Sequence, residues 1–217
     1  MIYKIETESD PLIEEAYEKA MTELNEFYGI NWVDKRPTVT IVKDRQTINQ
    51  LSGRETASWV VGFIGNINGS TIFMLDRNNY GTESAHKYDE AEYLLTLKHE
   101  LSHAFYRVLS DKGSRPKWLW EGVAIYTAEQ HKLKEKPSKF VDFLEFFEQE
   151  SVAGVYRESG FAVEAMVNKF GKEKLLELIK ATKETDTKKK FNTKFQEVYG
   201  FQPTYEEFNK MIWITSW

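Results

Sequence analysis

Apolar and polar positions along the chain fall into two regimes, mixed helical and extended periods up to about residue 75 and a helical period from residue 89 onward. Asp10-Pro11 has the form of a helix start, and Leu12, Ile13, Ala16, Ala20, Leu24 and Phe27 make one apolar stripe that Gly29 ends. Residues 37–42 alternate with β-branched side chains and predict a strand, followed by a short helix over 45–51 that stops near Gly53. Two β-rich runs, 58–64 and 70–75, flank an Asn-Gly pair and predict a hairpin. With the earlier strand this gives a small, partly antiparallel sheet of at least three strands. The polar stretch 76–87 reads as a loop carrying His86 as a solvated side chain. Helical periodicity then covers 89–109, through Leu94, Leu95, Leu97, Leu101, Ala104, Phe105, Val108 and Leu109, with no Pro or Gly to interrupt it. Ser114 and Pro116 signal another helix that runs to about His131. A charged connection over 132–138 and a Phe-rich helix over 140–150 follow, the latter with a stripe that reads as core. Helices over 159–170, 171–181, 191–199 and 204–213 complete a helical half, and nothing repeats at a fixed period.

This order of elements is α+β. A length of 217 residues suits one domain of two lobes, about 1–110 with the sheet and about 111–217 helical. Fourteen Phe, eleven Tyr and six Trp supply a large core. The net charge of −5 is too mild and mixed to point to nucleic acid as a partner. Absence of cysteine removes thiol chemistry, disulfides and Cys-ligated zinc. Residues 1–6 lack a long apolar run and no stretch approaches membrane-spanning length, so the expectation is a cytoplasmic protein with no membrane partner.

Candidate chemistry concentrates at Lys98-His99-Glu100-Leu101-Ser102-His103. His99 and His103, four residues apart, lie on one helix face, where two imidazoles can converge on one tetrahedral metal ion. Glu100 is then within reach of a water on that metal. A catalytic zinc takes a third protein ligand and leaves its fourth position to water. Glu121, in Trp118-Leu119-Trp120-Glu121-Gly122-Val123-Ala124, is a carboxylate among apolar neighbours, costly to bury unless a metal or a hydrogen-bonding partner compensates it. Asp111 is the competing carboxylate.

His99-Glu100-x-x-His103 followed by Trp120-Glu121-Gly122-x-Ala124 resembles the gluzincin branch of zinc metallopeptidases, the thermolysin and aminopeptidase N type, and above all the small peptidase MA-like members. The metzincin pattern asks for Gly and His where this chain has Tyr106 and Leu109. The resemblance implies a zincin-like fold, with a small N-terminal sheet lobe, an active-site helix and a helical C-terminal lobe. It also implies Zn2+ held by His99, His103 and Glu121, with Glu100 as general base. A peptide substrate would pair with a sheet edge beside the cleft, for which residues 70–75 are the expectation, and a Tyr or His of the helical lobe would stabilise the oxyanion. Tyr156 is the candidate for that role, with His131 and Tyr126 as rivals. Where thermolysin-like enzymes orient a ligand with an Asp four residues after the Glu, this chain has Ile125, so another group must serve. The aminopeptidase motif Gly-x-Met-x-Asn is absent, which favours cleavage of internal bonds. The alternative is a peptidase-like binding or regulatory module of little turnover. The aromatic tail, residues 211–217, is a candidate for self-inhibition by filling the cleft.

Overall fold

A computed structural model describes residues 9–65, 70–148 and 153–212. Side-chain caps and left-handed glycines set the helix limits in the first lobe. Helix α1 (Pro11–Tyr28) opens on Asp10, which accepts from the Ile13 N–H, and closes on Gly29 at φ 64°. That left-handed conformation is one glycine adopts without a Cβ clash. Strand β1 (Thr38–Val42) leads to α2 (Arg45–Ser52), which is capped by Asp44 and closed by Gly53. Strands β2 (Gly62–Gly65) and β3 (Thr71–Leu75) pair antiparallel as expected, and β1 joins β3 in parallel register, Thr38 opposite Thr71. The turn residues 66–69 lie outside the described residues.

The sheet order is β1-β3-β2. The expectation that residues 70–75 form the cleft edge is therefore corrected. Thr-Ile-Phe-Met-Leu is a continuous apolar run, buried at every position, which belongs to a central strand covered on both faces. The edge is β2.

Residues 76–87 are not all loop, because Tyr80 packs edge-on against Tyr93 and draws a one-turn helix α3 (Tyr80–Glu83) onto the core. Helix α4 (Glu90–Leu109) carries the His-Glu motif and is capped by Asp89, which accepts from the Glu92 N–H at 2.9 Å. Val108, expected in its apolar stripe, is 51% exposed. Helix α5 (Lys117–Thr127) carries Glu121 and stops short of His131, which lies on a 3-10 turn at Gln130–Leu133.

The expected helix over 140–150 is absent among the described residues of that stretch, which hold one 3-10 turn, Phe143–Glu145. The backbone donors of Phe140 to Leu144 are taken by side chains. Buried Glu158 accepts from the N–H groups of Val141, Asp142 and Phe143, Asn209 Oδ1 accepts from the Phe140 N–H, and Tyr205 Oη accepts from the Leu144 N–H. A helix begun at Phe140 would need the Phe143 and Leu144 N–H groups for its own ladder, and those are bound elsewhere. The phenylalanines are core, as the stripe implied, and the Phe146 and Phe147 carbonyls accept from the first two N–H groups of α5. This segment thereby caps the helix that carries Glu121.

Helix α6 (Ala153–Phe170) begins six residues earlier than expected, so Tyr156 sits inside its first turn and not before it. Helices α7 (Lys172–Ala181), α8 (Lys188–Tyr199) and α9 (Tyr205–Ile212) complete the lobe. Of the tail singled out for self-inhibition, Met211 and Ile212 are buried in the core and residues 213–217 lie outside the described residues. Among the described residues, no helix is long and apolar enough to cross a membrane.

Helices α5 and α6 meet where Gly122 lies against Ser159, and a Cβ at Gly122 would stand 2.7 Å from the Ser159 carbonyl oxygen. Backbone cannot yield as a side chain can. Gly122→Ala should therefore push α5 off α6 and lower the unfolding free energy by about 1–3 kcal/mol, read by urea denaturation.

Candidate metal centre

Three buried side chains, His99 and His103 from α4 and Glu121 from α5, converge with one donor atom each within 4.8 Å of one another. Glu121 Oε2 lies 3.4 Å from His99 Nε2 and 3.6 Å from His103 Nε2. Those separations exceed the 2.7–3.2 Å of good N–H···O hydrogen bonds. They match a shared ion instead, since two donors each about 2.1 Å from a tetrahedral metal stand roughly 3.4 Å apart. The group can hold a metal ion. Asp111, the rival carboxylate, is exposed and does not join the convergent donors.

The arrangement is fixed from several sides. His99 Nδ1 lies 2.9 Å from Gln130 Oε1, a contact that holds Nδ1 as the donor and frees Nε2. Gln130 thus takes the orienting part that Ile125 cannot. Glu129, at φ 61°, turns the chain after α5 so that Gln130 comes back to His99. His103 lies flat on Trp120, ring centroids 4.3 Å apart at 5°. Lys117 Nζ is 2.9 Å from Glu121 Oε1, leaving Oε2 to face the imidazoles. Behind the motif, Ser102 Oγ sits 2.8 Å from both Tyr28 Oη and Thr127 Oγ1, tying α4 to α1 and α5.

Burial decides much of the electrostatics. It pushes His103 down to about 4, against the pull of Glu121, so this imidazole is neutral at ordinary pH. Burial would raise Glu121, but His103, His99 and Lys117 overcome it and hold the carboxyl well below its usual range. Burial also opposes protonation of His99, yet Glu121 and Glu100 beside it win and raise it. A metal competes with that proton. Glu100 is different: burial pushes it up to about 7, the Glu121 charge adds to this, and His99 and Lys117 oppose. A carboxyl near neutrality suits a group that takes and returns a proton.

The triad floors a cavity of about 870 Å³ between the lobes. Glu100 faces β2, where a Cβ on Gly62 would stand 3.2 Å from Glu100 Cγ. Arg45 fixes the rim before β2, donating to the carbonyls of Ala57, Ser58, Val60 and Glu83. Tyr156 lines the cavity, its ring 5.6 Å from that of Trp59. Its rivals do not: the Tyr126 ring lies tilted against His131, centroids 5.5 Å apart, and His131 is buried against Phe161 and Glu164. His86 lines the rim, exposed, with Nε2 3.0 Å from the Trp59 carbonyl oxygen.

Sequence reasoning missed Gln130, Lys117, Arg45 and the stacking of Trp120 on His103. Lys117 was detectable, four residues before Glu121 on one helix. Gln130 carried no signal, since only the turn at Glu129 brings it to His99. Comparison of the chain with protein-family models, curated proteins and solved structures finds no match.

Gln130→Ala should weaken zinc binding about tenfold or more, measured by competition with a chromophoric chelator. A second expectation concerns the metal-free chain. Glu100 binds its proton more tightly folded than unfolded, so its ionisation costs stability as pH rises from about 4.5 to about 7. Metal-free Glu100→Gln should unfold at higher urea than metal-free wild type at pH 8, by at most about 3 kcal/mol, and the gap should shrink toward pH 5.

Proposed function

We propose that the chain is a zinc-dependent metallopeptidase of the gluzincin type on a zincin-like fold, cutting internal peptide bonds. The observation that carries this reading is the approach of Glu121 Oε2 to both imidazoles, with Glu100 buried beside them at the foot of an open cleft. Zinc held by His99, His103 and Glu121 would polarise the scissile carbonyl and make a bound water easier to deprotonate. Glu100 accepts the proton of the attacking water and returns it to the leaving amine, which its elevated pKa favours. Lys117 and Gln130 keep the ligands aimed. The edge of β2 offers backbone N–H and C=O groups to an extended peptide, the part first expected of residues 70–75. Tyr156, on the cavity wall, is the candidate donor to the oxyanion.

Wild type should cleave members of a mixed peptide library, lose cleavage with a chelator and regain it with zinc. Glu100→Gln should keep its zinc and lose about 10²- to 10⁴-fold in kcat. Tyr156→Phe should lower kcat with little change in KM. Zinc retained without cleavage of any peptide would replace this reading with that of a peptidase-like binding or regulatory module.

A further inference from the structure

The charge along the cleft has a direction. Glu92, Thr96, His99, Glu100, His103 and Arg107 recur at helical spacing and all line the cavity, so the cleft follows α4 for about 22 Å. At the end before His99, Glu92 is faced by Lys134, whose ammonium donates to the Tyr156 carbonyl at 2.6 Å. Trp59 and the exposed Leu133 add apolar surface there. The end beyond His103 is basic. Arg107 is half-buried on the cavity wall, and among the described residues it has no ion-pair partner. Lys112, also on the wall and likewise unpaired, donates its backbone N–H to the Arg107 carbonyl at 2.8 Å. Lys117, on the same wall, pairs with Glu121. This cluster stands out on a chain of net charge −5.

The geometry points to an acidic peptide as the substrate class, with an Asp or Glu side chain near the cut bond held by Arg107 and Lys112. This rests on the peptidase reading above. A half-buried guanidinium gains most from a carboxylate that meets it in paired hydrogen bonds. Arg107 is one helical turn, about 6 Å, beyond His103, and an extended peptide advances roughly 3.3 Å per residue. The acidic side chain therefore falls about two residues from the scissile bond. A cation in the last turn of α4 also complements the helix dipole, which accounts for Arg107 but not for Lys112 and Lys117 on the same wall.

The test uses zinc-loaded Glu100→Gln as a non-cleaving trap and labelled octapeptides with Glu, Gln or Lys walked through each position, read by fluorescence anisotropy. Glu should bind about fivefold tighter than Gln at one position, and the preference should fade at high salt. Adding Arg107→Glu should turn the preference toward Lys. If it only lowers the unfolding midpoint and leaves the order Glu over Gln over Lys intact, the dipole role is the correct one and the proposal fails. Equal binding of all three, or binding of none, also overturns it. Cleavage of the same peptides by wild type separates the two readings. Charge-selective binding without cleavage sinks the peptidase and keeps the basic site for acidic peptides, and cleavage without charge preference does the reverse.

Discussion

Everything around the centre answers one constraint: a carboxylate, Glu121, is buried between two imidazoles with the Lys117 ammonium at 2.9 Å beside it. Such a group is expensive to hold unless partners arrive at fixed distances. The chain meets the constraint by immobilising the two helices that supply the donors. Ser102 binds α4 to α1 and α5, the Phe146 and Phe147 carbonyls cap the start of α5, and Gly122 lets α5 seat directly on α6. Buried Glu158 in turn fixes the Phe-rich segment that does the capping. The helical lobe is thus more than a core, since it holds the third donor in register with the other two.

The same burial divides the labour between two neighbouring glutamates. Glu121 is kept ionised by the imidazoles and Lys117, and Glu100, aimed at the edge strand, is pushed to about 7. One carboxyl stays charged and the other sits near neutrality, from one residue type, because their neighbours differ. The rim is held in the same way, with Arg45 gathering carbonyls from the segment before β2, where Gly62 comes up against Glu100.

Local chemistry made much of this legible in the sequence. Asp10 announces a helix start, Gly29 and Gly53 announce ends, and the spacing of His99 and His103 places both rings on one face. Glu121 could be singled out by its apolar neighbours. What escaped depends on distant partners. The phenylalanine stripe at 140–147 has helical spacing, but Glu158, Asn209 and Tyr205 take its backbone donors. The cleft edge was assigned to β3, whose unbroken apolar run marks a central strand, and Gln130 reaches His99 only through the left-handed turn at Glu129.

X-ray absorption at the zinc edge, on the purified chain titrated with zinc, tests the metal centre most directly. The account predicts one zinc per chain in a four-coordinate shell of two imidazole nitrogens and two oxygens, with Glu121→Ala losing stoichiometric binding. A chain that takes up no zinc, or binds it in a shell without imidazole nitrogens, would contradict it.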